Sequence, residues 1–557
     1  GLTDNNVLAI TEDQESSIWV STSDGLNQFK NTNVTTFTTY DGLANDYISS
    51  VVETPDRTMY FLSVPGANVT QIKNGVIKKY NISVGPAHVA SNGSIWIGQN
   101  GYLFNINNNV LKQYDTLSGL PKKWISAITE DGHGLLMYVD HTGIFRFING
   151  RLIPFTMSSG QQFPKDEYVV CFHPQKNGLL WIGTADYLVK VENGTMTDYT
   201  TKDGLAGNWV SFICDDLHGG LWISSPQGGL THYVNGKFIV YNSRVGLFTD
   251  QIFCVLTDNN GDLWLSSPQG IGTVKHQAIE EFESGHTTSI KTKVYLTADG
   301  MKTDECFGEW VPAGWKTHDG RIWFATKRGA AVIDPDKLVT NTLPPPVLIE
   351  EIVANQRTIL TESNFTLPAS TRRIEFHYTA LSYLNPERVR FKVLLEGYDH
   401  EWVDEGTHRI AIYTNLPPGK YRFRVMACNN DGVWNEAGAR VSFELEPYFF
   451  QTLWFYALLA VAIIGVGFGI YRLRVWQLLK REKELKARID EALANIKVLG
   501  GLIPICANCK KIRDDKGYWD HLEGYIQSHS EAHFTHGICP DCAKKLYPNL
   551  SITKKSS

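Results

Sequence analysis

Eight short apolar runs, each centred on an aromatic ring or a large aliphatic side chain, recur between Ile18 and Phe324. They are Ile18-Trp19-Val20, Met59-Tyr60-Phe61, Ile95-Trp96-Ile97, Leu135-Leu136-Met137, Leu180-Trp181-Ile182, Leu221-Trp222-Ile223, Leu263-Trp264-Leu265 and Ile322-Trp323-Phe324. Their centres lie 41, 36, 40, 45, 41, 42 and 59 residues apart. Short runs between polar turns predict strands, and a period near 40–45 predicts one four-stranded unit per repeat. The pattern changes at Leu453–Tyr471, nineteen residues without a charge. A helix rising about 1.5 Å per residue would span roughly 28 Å there, close to the hydrocarbon thickness of a bilayer.

Turn chemistry agrees with the strand reading. Asp258-Asn259-Asn260-Gly261 and His318-Asp319-Gly320 precede apolar runs, and Asp24-Gly25-Leu26, Asp41-Gly42-Leu43 and Asp203-Gly204-Leu205 follow others. Asn-Gly and Asp-Gly supply the positive-φ positions that tight turns require. The acidic pairs Glu12-Asp13 and Glu130-Asp131 occupy matching repeat positions, so they read as turn devices rather than catalytic carboxylates. Fifteen tryptophans and 12% aromatics suit a many-stranded protein, and a net charge of -6 gives no reason to expect nucleic acid as a partner. Cys171, Cys214, Cys254, Cys306 and Cys428 are scattered without framework spacing and read as buried side chains. Gly1 opens within the repeat pattern, with no leader, which reads as a fragment or a processed product.

The units Leu180-Trp181-Ile182-Gly183-Thr184 and Ile18-Trp19-Val20-Ser21-Thr22-Ser23-Asp24-Gly25-Leu26 resemble the two-component regulator propeller repeat. The stretch from Gly300-Met301-Lys302 to Ile333-Asp334-Pro335 resembles that family's terminal blade. The resemblance implies a β-propeller over residues 1–343. It would be a seven-bladed ring over about 41–340, with unit 1–40 left from a truncated upstream propeller; eight blades is the alternative. Leu343-Pro344-Pro345-Pro346 marks a stiff boundary. Beyond it, Leu395-Glu396-Gly397-Tyr398 and Tyr413-Thr414-Asn415-Leu416-Pro417-Pro418-Gly419-Lys420-Tyr421 resemble the three-tyrosine domain, which implies an Ig-like β-sandwich over 344–447. Tyr398, Tyr413 and Tyr421 are expected to anchor core or interface. The fold expected is mainly β.

The flanks of the apolar span orient it. Arg472, Arg474, Lys480, Arg481, Lys483 and Lys486 follow it, whereas Glu436, Glu444 and Glu446 precede it. The positive-inside bias predicts a single-pass protein of the inner membrane, with repeats and sandwich outside and the C-terminus in the cytoplasm. Residues 472–500 carry two apolar rows, Val475, Glu482, Ile489, Ile496 and Leu478, Leu485, Ala492, Leu499. Such rows suit a parallel coiled coil and hence a homodimer; a single linker helix is the alternative.

Over 501–550 the chemistry is local. Cys506-Ala507-Asn508-Cys509 and Cys539-Pro540-Asp541-Cys542 place two thiol pairs within this one short module. Four thiolates on two tight turns match tetrahedral zinc, with redox cysteines as the alternative. A helix is expected near Trp519, Leu522, Tyr525 and Ile526. The predicted cofactor is one structural Zn on Cys506, Cys509, Cys539 and Cys542.

The stretch from Arg472 to Ser557 is too short for a kinase core, so no autokinase activity is expected. The family resemblance implies a sensor of an extracytoplasmic small molecule or oligosaccharide, signalling to a cytoplasmic protein. Trp310 and Trp315 are the candidate ligand-stacking rings, and no catalytic residue is assigned. An extracytoplasmic lyase or hydrolase, and an adhesion or scaffold protein, are the alternatives.

Overall fold

The computed structural model describes residues 2–64, 66, 68–157, 160, 162–175, 178–359, 364–494 and 503–547. The chain divides into two compact units, Gly1–Glu446 and Pro447–Ser557.

The first unit is mainly β and is built from propeller-like four-stranded antiparallel sheets. The first holds Ile48–Glu53, Met59–Ser63, Asn68–Lys73 and Val76–Asn81 in that spatial order. Sheets of the same order begin at Ala87, Ile125, Val169, Phe212 and Cys254. The first strands of successive sheets touch, and Gly314–Lys316 touches Ile48–Glu53, so the sheets make a circuit. The aromatic-centred runs are the second strands, and their rings pack between neighbouring sheets. Trp181, Trp222, Trp264 and Trp323 are buried. Each contributes on the order of 1.5–3 kcal/mol by leaving water.

The circuit closes with a strand from the other end of the chain. Gly314–Lys316, Ile322–Thr326 and Gly329–Ile333 are completed by Val34–Phe37, paired antiparallel from Ile333↔Val34 to Ala330↔Phe37. Spacing assigned Val34–Phe37 to unit 1–40. It pairs here because Gly329–Ile333 would otherwise expose an unpaired edge. Phe37 and Phe61 pack on Trp323 at 5.1 and 5.5 Å, sealing the seam from both sides.

The acidic turns are structural. Asp258 Oδ1 accepts from the N–H groups of Asn260 and Asp262, and its Oδ2 accepts from Trp264 Nε1 at 3.0 Å. Asp13 does the same for Trp19 at 2.7 Å. The Asp-Gly-Leu turn at Asp41 caps a single helical turn, whereas that at Asp24 joins two strands of a hairpin: Asp41 Oδ2 accepts from Thr38 N at 2.8 Å, and Gly42 takes φ +100°, which only glycine adopts without strain.

Residues 344–446 form two sheets packed on one core. One holds Arg357–Ile359, Val347–Ala354, Arg373–Ala380 and Ile410–Thr414; the other holds Asn364–Leu367, Trp434–Leu445, Gly419–Cys428, Arg390–Glu396 and Val403–Gly406. Phe376 of one stacks on Phe423 of the other at 4.0 Å. Tyr421 is buried and donates to Pro417 O at 2.6 Å, while Tyr413 donates to Asp399 Oδ2 at 2.9 Å. Tyr398 is half exposed against Tyr413.

A leading three-stranded sheet, Val7–Glu12, Ile18–Thr22 and Gly25–Phe29, joins this sandwich. Glu15 accepts from Asn341 Nδ2, Ser382 Oγ and the N–H groups of Tyr383 and Leu384. Trp19 meets Tyr383 edge-on at 5.7 Å.

In the second unit, Leu453–Ala494 is one continuous helix of 42 residues, long and apolar enough to cross a membrane. The heptad positions Val475 to Ala492 lie on it, whereas Ile496 and Leu499 fall outside the described residues. Further on, Ile512–Arg513 pairs with Trp519–Asp520, and helices Leu522–His529 and Pro540–Leu546 follow. The expected helix therefore starts after Trp519, which sits on a strand.

Candidate functional site

Residues on the approach to several first strands carry the site. Ile48, Ile125, Val169, Val210, Ile252 and Cys306 are buried where the chain enters a sheet. An extended backbone alternates sides, so the preceding residues point away from that core. They are Tyr47, Trp124, Tyr168, Trp209, Gln251 and Glu305. Trp124, Tyr168 and Trp209 remain 38%, 43% and 39% exposed, unusual for rings in a fold that buries most of its aromatics.

Four of these side chains, Tyr47, Tyr168, Trp209 and Glu305, line a cavity of about 780 Å³ together with Phe253 and Trp310. One wall is the nonrepeating segment 304–313. It is pinned across the circuit: Ala87 N donates to Val311 O at 3.0 Å, Ser50 Oγ to Pro312 O at 2.7 Å, and Cys306 N to Ser267 O at 3.1 Å. Gly308 lies so close to Phe253 that a Cβ would meet the ring at 2.2 Å. Trp310 stacks on Trp124 with centroids 5.6 Å apart. Glu305 pairs with Lys327 at 2.5 Å. Burial raises the Tyr168 phenol, and the Asp140 and Glu309 carboxylates add to the effect. The site joins aromatic walls to a few polar groups, the make-up of a small-molecule pocket.

Of the two rings expected from sequence, Trp310 is at this cavity. Trp315 is not; it lies on Gly314–Lys316, half-buried against the cluster of Val52, Tyr60 and Ile95. The aromatics on the approach to four of the first strands were missed. Its signal was an aromatic next to Ile or Val, as in Tyr47-Ile48, Trp124-Ile125, Tyr168-Val169 and Trp209-Val210, repeating one strand ahead of the tryptophan runs.

A second cavity, of about 600 Å³, lies on the sandwich. Its charges are already paired, Glu396 with Arg422 at 3.3 Å and Glu444 with Lys420 at 3.8 Å, so it offers a ligand less.

Each cysteine pair of the second unit forms a tight turn. Cys506 N donates to Lys511 O at 2.8 Å, Cys506 O accepts from Lys510 N at 3.0 Å, and Lys510 takes φ +59°. Cys539 Sγ accepts from Cys542 N at 3.4 Å. N–H groups of Cys509 and Asn508 lower the Cys506 thiol, and those of Cys542 lower Cys539. Two accessible thiol pairs, each with one thiol lowered by neighbouring N–H groups, fit the donor set of a thiolate metal site. The two pairs do not converge: among the described residues no three His, Cys, Asp or Glu side chains gather as a metal-binding group. The cysteines of the first unit are free, and burial pushes Cys171 and Cys306 up to about 12.

Residues 382–446 match the Y_Y_Y domain, and residues 1–24 match the two component regulator propeller. Histidine kinase P4 of Formosa agariphila is 22% identical over 210 residues, 35% of this chain and 15% of that protein. The solved extracellular domain of a putative hybrid two component system from B. thetaiotaomicron is similar over 80% of this chain and 62% of its own, with 20% identity and a TM-score of 0.68. The extracellular domain of a putative one component system from the same organism covers 80% and 64%, at 16% identity and a TM-score of 0.44. The chain spans less than two thirds of these proteins. Residues of this chain thus match the Y_Y_Y domain and the two component regulator propeller, and its fold is similar to that of the extracellular domain of a putative hybrid two component system.

Proposed function

We propose that this chain is a single-pass sensor that binds an extracytoplasmic ligand at the aromatic cavity and passes the signal to a cytoplasmic protein partner. The observation that carries the reading is the set of half-exposed rings at one cavity, in a chain that continues into a 42-residue helix with an uncharged opening from Leu453 to Tyr471. In this reading the circuit is a seven-bladed propeller and residues 344–446 an Ig-like sandwich. The basic residues after Tyr471 keep the C-terminus on the cytoplasmic side of the inner membrane. The chain acts as a receptor and not as an enzyme.

Two copies pair through Leu478 and Leu485, and the ligand shifts that pairing by its differential affinity for two receptor states. A structural zinc on Cys506, Cys509, Cys539 and Cys542 would draw the two thiol pairs together and tether the module that meets the partner.

Crosslinking tests the reading. Leu478→Cys and Leu485→Cys chains in native membranes are expected to crosslink with a yield that changes when polysaccharide digests are supplied outside. Trp209→Ala should remove the response. Equal crosslinking at Lys480→Cys and Ala487→Cys, or an unchanged response in Trp209→Ala, overturns it.

A further inference from the structure

The cavity also has a charge preference, and this step rests on the ligand-sensing reading above. The carboxylates and ammonium in its lining are Glu305, Glu309 and Lys327. Glu305 and Lys327 are paired at 2.5 Å and largely cancel. Glu309 is exposed, and among the described residues it forms no ion pair, so one carboxylate is left to face a ligand. Behind the same wall sits Asp140, whose N–H donates to Trp124 O at 2.9 Å and whose Oδ1 is buried without a hydrogen-bond partner. Desolvation raises the Asp140 carboxyl, and the Tyr168 phenol is raised by burial and then by Asp140 and Glu309. The Asp140 shift is an effect of burial, whereas part of the Tyr168 shift comes from the two nearby carboxylates, which disfavour a further negative charge.

The rings supply the other half of the argument. Tyr168 and Trp209 line the cavity and stay partly exposed, and Trp310 lines it with Trp124 stacked against it. A pyranose has a C–H face that packs on such rings and a rim of hydroxyls that donate to carboxylates. Lipid tails would leave Glu309 without a donor. A sulfated or uronic saccharide would bring an anion beside it.

We propose that the cavity takes a short neutral oligosaccharide, its sugar faces on Trp209 and Tyr168 and its hydroxyls on Glu309, and that it discriminates against acidic saccharides. An anion beside a half-solvated carboxylate weakens binding by roughly fivefold or more.

Tryptophan fluorescence of the full chain in detergent tests this. The probes are neutral hexasaccharides (cellohexaose, xylohexaose and galactohexaose) and, for the two hexoses, the same chains oxidised to uronates at C6. A neutral probe is expected to quench emission, with its uronate at least about fivefold weaker, and Glu309→Gln should reduce that ratio towards one. Uronates that bind as tightly as their neutral parents, or a ratio unchanged in Glu309→Gln, overturn the proposal. Failure of all neutral probes to bind overturns it too. The sensor reading is judged separately, by the ligand-dependent crosslink.

Discussion

His232 Nε2 lies 2.8 Å from Asp216 Oδ2, and its Nδ1 lies 2.6 Å from Glu283 Oε1, so one imidazole bridges two carboxylates inside the first unit. Glu283 ends the helix His276–Glu283, which is inserted between Gly270–Val274 and Thr292–Tyr295. Tyr241 donates to the same Glu283 oxygen at 2.7 Å, and Trp222 stacks on the imidazole at 4.0 Å. The cluster therefore fastens the inserted helix to the neighbouring sheet, with His218, His276 and Glu280 around the adjoining cavity.

Desolvation opposes charge on His232, but the bonds to Glu283 and Asp216 outweigh it and raise its pKa. Stability from His232 is then fully present below about pH 6.5 and is lost as pH rises through the higher folded value. Asp216 and Glu283, desolvated yet lowered by His232, contribute stability above about pH 4.3 that is lost on acidification. Thermal melts of the chain in detergent are expected to show the first unit more stable at pH 6 than at pH 9. His232→Gln should flatten that slope; an unchanged slope in the variant would exclude the cluster as its source.

Glu15 ties the leading sheet to the sandwich through four acceptor contacts. Glu15→Ala leaves the N–H groups of Tyr383 and Leu384 without that acceptor and should cost about 2 kcal/mol. Limited proteolysis is expected to release residues 1–30 faster from the variant. Equal cleavage rates would show that the remaining contacts, Trp19 on Tyr383 and the bonds from Gln28 and Lys30 to Tyr383 O and Leu384 O, hold the sheet without Glu15.

Gly308→Ala places a methyl where Phe253 already sits, and overpacking of this kind costs about 1–3 kcal/mol. The segment 304–313 carries Trp310, so its stacking on Trp124 should loosen. A red shift in tryptophan emission and a lower melting temperature are the expected results. Wild-type emission in the variant would mean that Phe253 turns aside freely.

Zinc content tests the two thiol pairs. The purified chain is expected to hold one zinc, and Cys506→Ser or Cys539→Ser should lower it sharply in elemental analysis. Stoichiometric zinc that survives the loss of both Cys539 and Cys542 would exclude the four-thiolate site.

Features that depend on local chemistry could be read directly from the order of residues. A ring returning at a near-constant interval placed the second strands, because an apolar run between polar turns has few other folds open to it. Asp13 was legible as a turn aspartate from recurrence and Asp258 from the Asn-Gly turn it opens, and the uncharged stretch Leu453–Tyr471 announced its helix. The pairing of Val34–Phe37 with Gly329–Ile333 emerges only in the folded chain. Nothing local distinguishes a strand that pairs with its sequence neighbour from one that closes a circuit with the far end of the repeats. The same holds at the mouth: Trp310 and Trp315 look alike in sequence, yet one reaches the cavity and the other packs inward. Tyr47, Tyr168 and Trp209 lie far apart along the chain, and only the circuit of sheets brings them around one space.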